Sequence, residues 1–164
     1  MKWPPSLVTS QNGWPASTVS SEIQIKSFVV GGVKLRCAVA VLPLLKAFTE
    51  QYHEHIDPLI PGQCWGYAYR NIRGSKELSN HASGTAIDLN SLKNPLGAIG
   101  TYTVIQIVLL DALIKKYGLR AGYNYHGRKD PMHFEISLDE AKVAALIEKL
   151  GLSTKKEKTN EKVT

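Results

Sequence analysis

Residues 73–90, RGSKELSNHASGTAIDLN, constrain the chain more than any other stretch. The segment is too polar for a core strand, yet it is too patterned for an idle loop. Gly84 lets the chain turn back between His81 and Asp88, so two side chains seven residues apart can face one point. A strand starting near Gly84 puts Ala86 and Asp88 on one face and Ile87 and Leu89 on the other. Asp88 then faces a cleft while its apolar neighbours enter the core, and the motif straddles a loop and a strand.

A second polar cluster, KDPMHFE, lies downstream. His133 opens a predicted strand, Asp130 precedes it by three residues, and Pro131 stiffens the link. His81, Asp88 and His133 together offer two imidazoles and one carboxylate, a donor set typical of catalytic zinc with a fourth position left for water. Such an ion activates water and polarises a carbonyl, which is peptide-hydrolysis chemistry. The reaction also needs a base, and Asp130 is the acidic residue best placed by sequence to serve without ligating the metal. Glu135 falls on the same strand face as His133 and is expected to support the metal site or face the substrate.

The rest of the chain supplies the frame. Residues 1–20 are rich in Pro, Ser, Thr and Trp and read as an irregular arm containing Trp3 and Trp14. Residues 22–38 alternate around Gly31-Gly32 and predict a hairpin. Residues 41–56 carry apolar side chains at helical spacing, with Pro43 tolerable in the first turn; His53 and His55 near its end are expected to be solvated. Residues 63–70, QCWGYAYR, alternate as a strand does, and residues 84–90 read as the strand leaving the motif. A strongly amphipathic helix over 103–118, short strands over 119–125 and 132–137, and a last helix over 138–151 follow. Helices and short strands mix without βαβ alternation. The predicted class is therefore α+β, with a small, largely antiparallel sheet flanked by helices.

Composition narrows the function. At 164 residues and 43% hydrophobic content the chain supports one domain with a core, taken as residues 1–151, followed by a polar, flexible tail over 152–164. No run approaches the roughly 18 apolar residues of a membrane span, so membrane insertion is not expected. The first residues lack a secretory apolar core, and synthesis in the cytoplasm without a signal peptide is expected. Cys37 and Cys64 are read as buried free thiols. A net charge of +6 favours an anionic partner such as nucleic acid, lipid headgroups or a bacterial wall polymer, and the sign alone does not choose among them. A nucleic-acid binder is disfavoured because it leaves both motifs unexplained.

SNHASGTAIDLN followed by DPMHFE resembles the SxHxxGxAxD and (E/D)xxH pair of the M15, or VanY-like, zinc peptidases. That family includes D-Ala-D-Ala carboxypeptidases and L-alanyl-D-glutamate peptidases. Ser79, His81, Gly84, Ala86 and Asp88 occupy the first motif; Asp130 and His133 occupy the second. The resemblance covers roughly residues 30–137. It implies the hedgehog/D-Ala-D-Ala peptidase fold, one Zn2+ held by His81, Asp88 and His133, and Asp130 as general base and acid. It further implies that Arg70, or else Arg73, holds a substrate carboxylate or polarised carbonyl. Ser79 is expected to hydrogen-bond within the loop or to substrate, not to act as a nucleophile. The base is Asp where many members have Glu, and YNYHGRKD stands where many relatives carry a Trp. Tyr125 and His126 are therefore expected to shape the cleft or assist at the oxyanion.

The function expected is hydrolysis of the peptide part of bacterial peptidoglycan by a monomer acting at the cell wall. An L-Ala-D-Glu endopeptidase of the bacteriophage endolysin type comes first. A D-Ala-D-Ala carboxypeptidase or another cross-link endopeptidase follows, and a non-catalytic zinc domain that binds wall is the rival from a different class.

Overall fold

The computed structural model describes residues 7–153. The elements run β1 (Val8–Thr9), β2 (Pro15–Ala16), β3 (Ile25–Val30), β4 (Val33–Ala38), α1 (Leu42–His55), β5 (Ala86–Asp88), α2 (Val104–Tyr117), β6 (Leu119–Ala121), β7 (His133–Ile136) and α3 (Glu140–Lys149). Every strand pairing is antiparallel, but the strands form three separate small sheets rather than one: β1-β2, β3-β4 and β5-β7-β6. The class is α+β, as the mixed pattern predicts.

The β3–β4 hairpin forms because its residues alternate. Phe28, Val30, Val33, Leu35 and Cys37 turn inward, and Gly31-Gly32 take the positive φ values of 56° and 77° that a two-residue turn needs. Gly31 is doubly constrained, since a Cβ there would lie 2.4 Å from the His53 ring. His53 is thus not a solvated charge. It packs beneath the hairpin turn, and its Nδ1 accepts the Leu59 N–H at 2.9 Å. His55 is exposed, as expected.

Helix α1 buries Leu44, Leu45, Phe48, Thr49 and Tyr52, one stripe at helical spacing, with Pro43 in its first turn. Helix α2 is opened by a Thr103/Gln106 capping box and closed by Gly118 in the left-handed region. It departs from the strongly amphipathic expectation. Leu110 and Tyr117 are buried, whereas Val104, Ile105, Val108 and Leu109 face outward. A helix apolar on nearly all sides does not encode in its own pattern which side meets the core. Asp139 caps α3, accepting the Lys142 N–H at 2.9 Å.

Three further expectations are corrected. Residues 63–70 form no strand: Trp65 exchanges two backbone hydrogen bonds with Asp88, Tyr67 bonds to Arg36, and Ala68 bonds to His81. With its bonds shared among three partners, the segment builds no ladder despite alternating. Residues 119–125 are strand only as far as Ala121, after which the chain enters a 3-10 turn over Gly122–Asn124. The N-terminal arm, from residue 7 on, is packed rather than irregular. Trp14 is buried and donates its indole N–H to the Leu138 carbonyl at 2.9 Å. Asn12 is tied to Asn80, Thr85 and the Ile136 carbonyl. Trp3 lies outside the described residues, as does the tail from residue 154 onward. Leu152 still packs against the core, so the packed body continues past residue 151.

A contiguous core joins the β3–β4 hairpin, α1, α2 and the β5-β7-β6 sheet. Phe134 lies at its centre with ring centroids 4.8 Å from Phe48 and 5.8 Å from Tyr52.

Candidate metal centre and cleft

The site begins with strand register. Asp88 lies directly opposite His133, and Ala86 opposite Glu135, so antiparallel pairing puts all four on one face of the sheet. Ile87 and Phe134, also paired, take the opposite face into the core. Arg120 opposes Glu135 from the other side and joins the same cleft face.

His81 arrives from a different element. Ser79 caps a 3-10 turn over Asn80–Ser83, its hydroxyl accepting the His81 N–H at 3.2 Å. Gly84 ends the turn at φ 70°, and a Cβ there would come within 2.6 Å of the Ala38 nitrogen. Ser79 thus spends its hydroxyl on the backbone of the turn that carries His81.

Ligand atoms of His81, Asp88 and His133 all lie within 4.8 Å of one another, and all three residues are buried. Tetrahedral zinc with bonds of about 2.0–2.1 Å needs donors about 3.3 Å apart, so the cluster closes on such an ion with small movements. The second nitrogen of each imidazole is already committed. His81 Nδ1 lies 2.8 Å from the Gly66 carbonyl, and His133 Nε2 lies 3.2 Å from Glu135 Oε1. The Gly66 carbonyl can only accept, so the neutral His81 ring carries its proton on Nδ1 and turns its Nε2 lone pair to Asp88 Oδ1, 3.2 Å away, whereas His133 stands between two carboxylates with its Nδ1 3.0 Å from Asp88 Oδ1. His81 Nε2 is buried without a hydrogen-bond partner. A lone pair facing a carboxylate oxygen at that distance is repulsive unless a cation lies between them, so the residues fit a metal ion.

Electrostatics agree. Burial alone would raise the Asp88 carboxyl, but the charge of His81 and the hydrogen bond from His133 hold it far below the usual carboxylate range. Burial alone would lower the His133 imidazole, but its bonds to Asp88 and Glu135 raise it to about 10. The geometry favours positive charge between these groups. Glu135 is buried and held below its ordinary value: burial opposes ionisation, but the His133 bond outweighs it. It also accepts from the Tyr125 hydroxyl and the Asn80 amide. Burial, then the Glu135 charge, keeps the Tyr125 phenol protonated.

Asp130 lines the same cleft of about 310 Å³ with one carboxylate oxygen, Oδ1, buried and unpartnered. Burial pushes its carboxyl up from the ordinary aspartate value. Its backbone is clamped from two sides: its N–H donates to the Gly122 carbonyl at 3.0 Å, and Tyr102 donates to the next carbonyl, Pro131, at 2.8 Å.

Arg70, Arg73, Ser79, Tyr125 and Glu135 also line this cleft. Arg70 places its guanidinium 4.0 Å from Asp88 Oδ2. His126 is not among the lining residues; it faces a neighbouring cavity. Sequence reasoning passed over Gln11, which lines the cleft, and Asn80, which links the Gln11 amide to Glu135. The Asn12-Gly13 pair is a hairpin-turn signal that marks this N-terminal segment as structured.

Residues 73–136 match a family model described as D-alanyl-D-alanine carboxypeptidase. The matched segment contains all three clustered ligands and Asp130. No curated protein and no solved structure shows a significant match to the chain.

Proposed function

We propose, from the match of residues 73–136 to a peptidase family model, that the protein is a zinc-dependent M15-type hydrolase of the peptide part of bacterial peptidoglycan, an L-Ala-D-Glu endopeptidase in the manner of a bacteriophage endolysin. The observation that carries the reading is the convergence of His81, Asp88 and His133, with the outer ring nitrogens engaged by the Gly66 carbonyl and by Glu135. When bound there, zinc supplies Lewis acidity toward a peptide carbonyl and toward water.

The chain's own groups do the rest. Asp130 accepts the proton of the attacking water and returns it to the leaving amine; its raised affinity for protons suits both halves of that task. Arg70 offers a planar fork to a substrate carboxylate or to the carbonyl oxygen as it gains charge. Glu135 holds the His133 ring in place.

The test combines zinc analysis with mass spectrometry of digested wall material. New free termini at D-Glu, lost with a chelator or in Asp130→Ala, are the expected result. Release of single D-Ala residues instead would support the carboxypeptidase reading, which the description of the matched family model favours. Full wall lysis by Asp130→Ala would remove Asp130 from its role and favour a different base. Zinc binding and wall retention without any cleavage would point to the non-catalytic wall-binding domain.

A further inference from the structure

Asn80 reaches both histidines of the cluster by different routes. It opens the 3-10 turn that carries His81, and its buried side chain donates to Glu135, which in turn contacts His133. The Asn80 side-chain carbonyl accepts the Asn12 backbone N–H at 2.8 Å. A backbone N–H only donates, so this bond decides which way the amide faces and turns its NH2 to the other side. Both amide hydrogens are then used, one on the Gln11 side-chain oxygen at 3.1 Å and one on Glu135 Oε2.

The Glu135 carboxylate divides its duties. Oε1 accepts from the Tyr125 hydroxyl and lies 3.2 Å from His133 Nε2, whereas Oε2 has Asn80 as its hydrogen-bond donor among the described residues. Without that donor a buried carboxylate oxygen is left unpaired, and rotation about the last side-chain bond carries Oε1 off the imidazole. Asn12 completes a brace around the pair. Its side-chain amide donates to Thr85 Oγ1 at 2.9 Å and to the Ile136 carbonyl at 3.0 Å, next to Glu135 on β7. The N-terminal arm thus ties the turn bearing His81 to the strand bearing His133. Gln11 and Asn12 lie outside the matched residues 73–136.

We propose that Asn80, clamped by the N-terminal arm, is a positioning residue for His133: it holds the Glu135 carboxylate so that Oε1 stays on the imidazole Nε2. This rests on the metal-centre reading and extends it to a side chain that is no ligand. A carboxylate fixed on Nε2 orients the ring and keeps Nδ1 toward the cluster, so the arm supports metal affinity without touching the metal.

Zinc affinity, read by competition with a chromogenic chelator where every variant is folded, forms the test, with the Tm of each metal-free protein beside it. Asn80→Ala and Asn80→Asp should each weaken zinc binding about 10- to 100-fold. Asn80→Asp with Glu135→Gln exchanges donor and acceptor across the same contact and keeps the net charge. The exchanged pair should therefore bind zinc more tightly than Asn80→Asp or Glu135→Gln alone. If Asn80→Asp does not fold, Asn80→Ala and the exchanged pair against Glu135→Gln carry the comparison. Asp139→Ala, which removes the cap of α3 away from the cleft, should lower Tm by about 2–6 °C and leave zinc affinity within about twofold. Affinity within about twofold of the parent in the Asn80 variants, or an exchanged pair no better than the singles, overturns the assignment. An equal loss in Asp139→Ala overturns it too, because affinity would then follow fold stability. A parent protein that takes up no zinc overturns the metal-centre reading, and this assignment with it, before any variant is compared.

Discussion

Gly122 sets the position of the proposed base, and replacing it with alanine separates catalysis from metal binding. A Cβ on Gly122 would lie 2.0 Å from the Asp130 carbonyl oxygen, 2.8 Å from its carbonyl carbon and 2.9 Å from its Cβ. Ordinary contact needs about 3.5 Å, so one of the two backbones must retreat by roughly 1 Å or more. Gly122 already accepts the Asp130 N–H at 3.0 Å, so that hydrogen bond moves with it. A displacement of about 1 Å at a catalytic group costs on the order of 100-fold in rate. Overpacking should cost about 1–3 kcal/mol, lowering Tm by roughly 3–10 °C for a domain of this size. His133 donates its N–H to that same Asp130 carbonyl at 3.0 Å, but the β5–β7 ladder also holds it, so zinc content should fall far less than kcat. The assay is kcat on purified muropeptide beside zinc stoichiometry and a thermal melt of Gly122→Ala. A kcat within about threefold of the parent, with Tm unchanged, would refute the argument that this glycine places Asp130.

Gly66→Ala should act on the metal instead: its Cβ would fall 2.2 Å from the Arg36 carbonyl oxygen, while its own carbonyl holds His81 Nδ1. Zinc affinity measured against a competing chelator should drop about 10- to 100-fold, and unchanged affinity would remove Gly66 from that role. Burial pushes the fully buried Cys37 thiol up from 9.0 to about 12. Folded protein then keeps a proton that unfolded protein loses, so this contribution is complete below pH about 9 and fades by about 1.4 kcal/mol per pH unit as pH rises toward 12. Urea midpoints at rising alkaline pH should fall less steeply in Cys37→Ala than in the parent; identical slopes would contradict the assignment. Ile105→Lys and Val108→Lys, on the outward side of α2, should leave Tm within about 2 °C, and a large drop would mean that this face is covered.

Much of the site could be read from residue pattern because its geometry is local. The two-residue period of β5 and the turn at Gly84 already separate Asp88 from Ile87, and the same period separates His133 from Phe134. That Asp88 and His133 meet is not local: it depends on the register of two strands forty-five residues apart, which the pattern does not encode and the family motif supplied. The segment over 63–70 misled for the opposite reason. It alternates, yet its partners are distributed among Arg36, His81 and Asp88, and alternation reports burial rather than a ladder. Asn80 was invisible between Ser79 and His81 because its value lies in distant partners, with Asn12, Gln11 and Glu135 all on its amide.

The proposed ligands and the proposed base are held by different kinds of structure. Strand β7 shows Phe134 and Ile136 to the core and His133 and Glu135 to the cleft, so packing that orders the core also orders the imidazole. Asp130 stands outside that ladder. Its position depends on the Gly122 carbonyl, on the His133 N–H that its own carbonyl accepts, and on Tyr102, whose hydroxyl spans from Tyr52 in α1 to the Pro131 carbonyl. Paired strands suit a cluster whose donors converge from three elements, two of them β5 and β7, because an error in register would scatter them. A loop fixed by a few bonds suits a group that must take a proton from one side and deliver it to another. Metal retention should therefore track the integrity of the core, whereas turnover should track the bonds around residues 122 and 131, and the two properties should fail separately under substitution.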